Sequence, residues 1–301
     1  MNTPREIVVI VNSASGCGHG SATVAAIEAQ LRAFGQTARV ICVNFDGMTK
    51  AIESAIEGGA RLIAMGGGDG TLSTAASALA DTETTLGVLP LGTLNHFAKD
   101  QQIPLDLAGA VRTLVEGRVK RVDVGEVNGR VFINNSSVGI YPDIVGLRQR
   151  LGFGKWFGLV AASWMVLRRG STLDIKMTSD SGDRRYRTPF VFIGNNEYVV
   201  EGFDLGERKT MQAGQLSVYT SRLTGRVGML RLAFRSLFKY LRVDHDFDTV
   251  IARDFVLETR QQQLRVATDG EVSTQDMPLH YRSRAGALRV MVPLATTMDE
   301  R

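Results

Sequence analysis

At 301 residues the chain is long enough for one large or two ordinary domains, and two is the expected count. Its 32 glycines exceed an average share of about 7%, which points to many tight turns, while a formal net charge of +4 is too modest to argue for nucleic acid. No zinc-ligand spacing, RNA-binding motif or helix-turn-helix pattern occurs, and no run of about 18 apolar residues predicts a membrane-spanning helix.

In chain order, the start Met1 to Glu6 is polar and lacks a signal-like apolar region. Ile7 to Val11 then reads as a strand that runs into Asn12-Ser13-Ala14-Ser15-Gly16 and Cys17-Gly-His-Gly20, before a helical pattern from Ser21 to Phe34. Ala38 to Val43 reads as a second strand and Met48 to Glu57 as a helix. The two cysteines, Cys17 and Cys42, are expected to be buried free thiols in a reducing cytosol, not a disulfide framework.

The strand-like Arg61 to Met65 leads into Gly66-Gly67-Gly68-Asp69-Gly70-Thr71, which opens onto a helical stretch ending at Leu79. Glycines at a strand-to-helix turn let a ligand approach bare backbone, and unpaired N–H groups at a helix start favour an anion. That context predicts a phosphate site. A lone carboxylate beside polyphosphate would be repelled, so Asp69 is read as orienting a hydroxyl, contacting a metal or stabilising the turn. A further strand, Leu86 to Leu89, runs through Pro90 into Leu91-Gly92-Thr93-Leu94-Asn95-His96-Phe97-Ala98. Three glycine-bearing loops thus follow strands of one predicted parallel sheet, and at the carboxyl ends of such strands they converge on one nucleotide. Neither GxxxxGK[ST] nor GxGxxG after the first strand is present, which argues against ordinary P-loop and dinucleotide-binding enzymes.

A helix over Leu105 to Glu116 and a strand over Val119 to Val124 complete the βαβ rhythm, which then changes. Asn128-Gly129 between apolar alternations predicts a hairpin with a primed turn. Strand-like runs at Thr172 to Thr178, Arg187 to Ile193, Leu216 to Thr220, Thr249 to Glu258 and Gln263 to Thr268 predict an antiparallel sandwich. The chain is therefore read as α/β: a parallel-sheet nucleotide-binding domain over 1–125, followed by a mainly antiparallel β-sandwich domain over 126–301. The last run, Leu288 to Val292, is expected to return to the first domain. Within the second domain, Arg148 to Arg169 places cations at the ends of an aromatic-rich centre, and Arg226 to Arg242 carries cations near a helical period with no acid. Both fit amphipathic helices on an anionic membrane surface, or apolar faces packed on the sandwich with solvated cations.

Taken together, these motifs resemble the diacylglycerol kinase catalytic-domain family of lipid kinases, which also includes sphingosine and ceramide kinases and is related to NAD kinases and phosphofructokinases. The matching residues are Asn12 with Ser15-Gly16, then Gly66 to Thr71, then Pro90 to Thr93 with Asn95, Phe97 and Ala98, and finally Asp269-Gly270-Glu271. The sequence departs from the family pattern at Ser13, at Ser73-Thr74 and at His96, where the family usually has Asp; His96 is read as a tolerated local variant. The resemblance implies transfer of the γ-phosphoryl group of ATP, with Mg²⁺, to a lipid hydroxyl, diacylglycerol-like acceptors first. It implies nucleotide contacts from Asn12, Ser13, Ala14, Ser15, Gly16, Gly66, Gly67, Gly68, Asp69, Gly70, Thr71, Leu72, Gly92, Thr93 and Asn95. It places the proton acceptor in the Asp269-Gly270-Glu271 motif, with Glu271 favoured and Asp269 its rival, and gives Asp123 a part in placing Mg²⁺ through water.

A structural Mg²⁺ site known in some bacterial members is not expected, because the matching segment Met211 to Leu216 carries Ala213, which cannot ligate a hard cation. The partners expected are a lipid substrate and an anionic membrane surface bound peripherally from the cytoplasm, with a homodimer admitted and nucleic acid excluded. Two alternatives stay open: a soluble kinase of NAD or a small metabolite, and a non-catalytic lipid-binding protein, against which the retained Asp69, Asp123, Asp269 and Glu271 speak.

Overall fold

The structure is a computed structural model that describes residues 7–14, 20–140, 142, 172–201, 204–208, 210–225, 228, 231 and 246–294. The chain forms two compact units, 1–122 with 286–301, and 123–285. The first unit alternates strand and helix: β1 (Ile7–Asn12), α1 (Gly20–Ala33), β2 (Ala38–Val43), α2 (Met48–Glu57), β3 (Leu62–Gly67), α3 (Asp69–Leu79), β4 (Thr85–Pro90), α4 (His96–Asp100) and α5 (Leu107–Glu116). Here β1, β3 and β4 are buried along their whole length, as expected of a parallel sheet covered on both faces. The helices supply that cover through short apolar stripes, such as Met48 and Ile52 on α2 and Leu72, Ala75, Ala76 and Leu79 on α3. Asp106 caps α5, its Oδ1 accepting the Gly109 N–H at 2.8 Å, so the helix begins two residues later than the apolar pattern suggested.

The sheet order is β2-β1-β3-β4-β18, where β18 (Leu279–Val292) brings the end of the chain back beside β4 through the parallel pair Val290–Leu86. Because β2 lies on the edge of that sheet, its residues are only partly covered, and Cys42 is exposed. This corrects the expectation of a buried thiol there; Cys17 lies outside the described residues.

The chain passes into the second unit within β5 (Arg118–Val127) and leaves it within β18. Between them come β6 (Arg130–Phe132), β7 (Asn135–Gly139), β8 (Leu173–Ser179), β9 (Gly182–Thr188), β10 (Phe190–Asn195), β11 (Tyr198–Glu201), β12 (Asp204–Arg208), β13 (Leu216–Ser221), β14 (Phe247–Ala252), β15 (Asp254–Glu258), β16 (Gln263–Thr268) and β17 (Glu271–Asp276). One antiparallel layer runs β14-β13-β10-β7-β16-β17; the other runs β18-β15-β8-β9, with the β5–β6 hairpin attached to β18. Their facing side chains make one core: Val138, Ile193, Val218 and Val266 from the first layer meet Phe132, Ile175, Leu257 and Tyr281 from the second. Two facing antiparallel layers around a shared core are a β-sandwich.

Two expected strands are each a pair. The run 187–193 is broken at Pro189, which has no N–H for a ladder, so β9 ends at Thr188 and β10 begins at Phe190. The run 249–258 changes layers at Arg253, with β14 pairing β13 in one layer and β15 pairing β8 and β18 in the other. The Asn128-Gly129 turn does join β5 to β6, with φ of 46° and 83°, the left-handed pair that a primed turn requires. The segments 148–169 and 226–242 lie outside the described residues, apart from 228 and 231.

Candidate functional site

In the first unit the loops after β1, β3 and β4 are fastened to one another by side chains that the sequence had singled out. Asn12, 5% exposed at the end of β1, donates from Nδ2 to Thr71 Oγ1 at 3.1 Å and accepts the Ala14 N–H on Oδ1 at 3.0 Å. It therefore fixes the first loop and the first turn of α3 together. Ser13 and Ala14 are exposed at the start of that loop, with the Ser13 N–H on Val43 O at 2.8 Å; Ser15 and Gly16 lie outside the described residues.

Gly66 and Gly67 close β3, and Gly68 is the extended residue before α3, with no side chain capping it. The first helical bond is Leu72 N–H to Gly68 O at 3.1 Å, which leaves the amides of Asp69, Gly70 and Thr71 without an intrahelical acceptor. Glycine is needed here for close approach. A β-carbon on Gly67 would collide with Thr71, and one on Gly92 would collide with the Cα of Gly68. Leu91 N–H reaches Gly67 O at 3.1 Å, so the loops after β3 and β4 touch backbone to backbone. The Leu72 side chain is fully buried in the unit's core.

Asn95 shapes the second loop. It is buried, sits at φ 50° and ψ 45°, accepts the Gly92 N–H on Oδ1 at 3.1 Å and donates to Gly92 O at 2.8 Å. Asp69 ties that loop to α3, because its carboxylate accepts the N–H groups of His96 at 3.2 Å and Phe97 at 3.0 Å. Thr93 and His96 stay exposed at the rim. What results is a helix N-terminus whose first three amides have no acceptor among the described residues, flanked by glycine backbone that a phosphate can approach.

In the second unit Asp123, Asp269 and Glu271 have different surroundings. Asp123 is 2% exposed; its Oδ2 accepts the Gly214 N–H at 2.6 Å and its carbonyl accepts Asn195 Nδ2 at 2.8 Å. Asp269 and Gly270 make the turn between β16 and β17, with φ of 48° and 86°. The Asp269 carboxylate accepts three backbone amides: Ile133 at 2.8 Å, Asn134 at 2.8 Å and Asn135 at 3.0 Å. Glu271, the first residue of β17, is instead 39% exposed at its side chain and pairs with Arg130 Nη2 at 2.5 Å. Of the two acids in that motif, the turn residue is engaged by the backbone and the strand residue is partly open to solvent.

The segment 133–135 is the hub of this group, and its partners were invisible in the sequence. Asn195, fully buried, also donates to Ile133 O at 3.0 Å; Arg208, 8% exposed, donates to Ile133 O at 2.6 Å and to Asn134 Oδ1 at 3.0 Å. Only the repeated Asn residues at 134–135 and 195–196 signalled a polar interior. Beside Glu271 on the hairpin, Thr268 is 2% exposed and its hydroxyl has no partner among the described residues.

For a magnesium nucleotide the residues fit unevenly. The α3 amides suit phosphate, whereas the Asp69 and Asp123 carboxylates already accept backbone N–H groups, and no cluster of three metal-ligating side chains occurs among the described residues. Mg²⁺ that arrives on the phosphates keeps much of its own water and needs few protein ligands.

Comparison with known proteins adds to this geometry. The family model of the diacylglycerol kinase catalytic domain matches residues 6–127. A Pseudomonas syringae pv. syringae protein named "Probable lipid kinase YegS-like" is 31% identical over 252 residues, covering 81% of this chain and 80% of its own. A Staphylococcus epidermidis protein named "Diacylglycerol kinase" is 37% identical over 89 residues, 29% of this chain and 28% of its own. Among solved structures, a diacylglycerol kinase from Bacillus anthracis str. Sterne superposes with a TM-score of 0.71 at 22% identity, covering 97% of this chain and 98% of that one; at such identity the likeness concerns the fold.

Proposed function

The chain belongs to the diacylglycerol kinase catalytic-domain family, and from that premise we propose that it is an ATP-dependent lipid kinase whose acceptor is a diacylglycerol-like alcohol. The observation that carries the nucleotide half is the uncapped start of α3, where the amides of Asp69, Gly70 and Thr71 stand beside the bare backbone of Gly68 and Gly92. Asn12, Asn95 and Asp69 hold the surrounding loops in shape. Thr93 supplies an exposed hydroxyl at the rim of that site. Bound Mg²⁺ neutralises charge on the transferring phosphoryl group.

Glu271 takes the proton of the acceptor hydroxyl. The hydroxyl oxygen forms the new bond to the γ-phosphorus, and the bond from that phosphorus to the β–γ bridging oxygen breaks, its electron pair leaving with ADP. Asp269 holds the Glu271 turn in place through its three amide bonds. Asp123 holds the 211–214 segment, its carboxylate accepting the Gly214 N–H and its own N–H bonding Met211 O, and it would help to place Mg²⁺ through water. A lipid acceptor resides in a bilayer, so the enzyme is read as cytoplasmic and working peripherally at an anionic membrane surface. No helix among the described residues is long and apolar enough to cross a membrane.

The test is phosphoryl transfer from γ-labelled ATP to a panel in mixed micelles: diacylglycerol, ceramide, a sphingoid base, phosphatidylglycerol and an isoprenoid alcohol, with NAD present as a soluble competitor. Label is expected in lipid, most in diacylglycerol. Label in NAD alone establishes the soluble-kinase alternative, and label in no acceptor establishes the non-catalytic one.

A further inference from the structure

We infer that Arg130 is the positioning residue that holds the Glu271 carboxylate in its reactive orientation, an inference that rests on the reading of Glu271 as the proton acceptor. The two residues are 141 apart in the chain and come from opposite layers of the sandwich, Arg130 opening β6 and Glu271 opening β17. Both face inward. Arg130 lies opposite Val127 and shares its strand face with the buried Phe132, while Glu271 lies opposite Thr268, on the face that carries Val266 and Leu264 into the core.

Each backbone is held by bonds other than the Arg130–Glu271 contact. The Asn128-Gly129 turn, with both residues at positive φ, sets where β6 starts. The Asp269-Gly270 turn sets where β17 starts, and Asp269 is bonded to Ile133, Asn134 and Asn135, three to five residues beyond Arg130. Two rigid turns therefore present a guanidinium and a carboxylate to each other, and the contact closes at 2.5 Å between Arg130 Nη2 and Glu271 Oε2.

Stability does not account for this pair. The side chains are 35% and 39% exposed, and a pair so open to water contributes about 0 to 1 kcal/mol. Orientation does account for it. A glutamate has three rotatable bonds, and an unpaired one would sample many rotamers of which few point at a given hydroxyl. The guanidinium occupies one oxygen, Oε2, and leaves the other to receive a proton.

Turnover, the KM for ATP and the melting temperature of the full chain test the idea in Arg130→Ala, Arg130→Lys, Glu271→Gln and the Arg130→Ala/Glu271→Gln pair. Loss of orientation typically costs on the order of 10- to 100-fold. Arg130→Ala should lower kcat by that factor with the KM for ATP and the melting temperature near those of the parent. Arg130→Lys, which keeps the cation but not the planar fork, should recover part of the loss. In the Glu271→Gln background, removing Arg130 should cost nothing further. Parental kcat in Arg130→Ala while Glu271→Gln is inactive overturns this inference alone, as does an equal loss in both backgrounds. Parental turnover in Glu271→Gln overturns the reading of Glu271 beneath it.

Discussion

Asp69 and Asp269 do the same physical work in different units, since each carboxylate gathers backbone N–H groups of a loop that lies far away in sequence. The glycine-Asp-glycine and Asp-Gly-Glu motifs could be read from the sequence, but which acid touches what could not, because Asp269 meets residues 134 to 136 positions earlier. This distinction has a measurable consequence. Asp269→Asn replaces one accepting oxygen with an NH₂ group that faces an amide, and losing charge-assisted bonds of this kind costs about 2 to 3 kcal/mol. Glu271→Gln disturbs only a half-exposed ion pair, at about 0 to 1 kcal/mol. In thermal unfolding, Asp269→Asn should therefore melt several degrees below Glu271→Gln. Equal melting temperatures would show that the three amide bonds contribute little to the fold.

Elements were legible where local chemistry decides them. The strands β1 to β5 and the helices α1, α2, α3 and α5 follow from apolar runs and period, and the β5–β6 hairpin follows from Asn128-Gly129 between apolar alternations, whereas the single turn α4 reads as loop. The change of layer at Arg253 left no such mark, because consecutive strands on different layers read as one apolar run. Pairings such as Glu126 with Arg282 and Arg284, 156 and 158 residues away, are set by tertiary packing and have no local signature.

Tyr281 of β18 is another case, stacked on Phe255 at 5.0 Å between ring centres and sharing a hydrogen bond of 3.0 Å with Ser136. Burial pushes its phenol up from the ordinary value of 10.0. The folded chain thus holds this proton more tightly than the unfolded chain does. The sign follows: the contribution is fully present below about pH 10, and it declines above that as the unfolded chain alone loses the proton. Tyr281→Phe abolishes this linkage and leaves Ser136 unpaired, costing about 1 kcal/mol at neutral pH. Denaturant titrations from pH 7 to 11 should show a constant gap between parent and variant up to about pH 10. Above it the gap should close by up to about 1.4 kcal/mol per pH unit. A gap that stays constant to pH 11 would mean the phenol ionises as readily in the fold as outside it.

At the scale of the whole molecule, the first unit is not a contiguous stretch of sequence. The family model ends at residue 127, yet the unit's sheet includes the carboxyl end of β18, contributed from beyond Gly286. In that segment Ala287, Leu288, Val290, Met291 and Val292 are all buried, the Asp81 N–H reaches Ala287 O at 2.7 Å, and Arg289 pairs with Glu83. Each fully buried large aliphatic side chain contributes about 1.5 to 3 kcal/mol, so Leu288, Val290, Met291 and Val292 together contribute roughly 6 to 12. A domain's entire net stability is about 5 to 15 kcal/mol. Removing the returning segment therefore takes away as much as the unit has, and it uncovers the β4 edge as well. A fragment of residues 1–127 should show no cooperative unfolding transition by circular dichroism and should be cleaved rapidly by protease. The same fragment with residues 286–294 joined through a flexible linker should recover both the transition and the resistance. A cooperative transition in the fragment without the segment would show that the parallel sheet stands without its last strand.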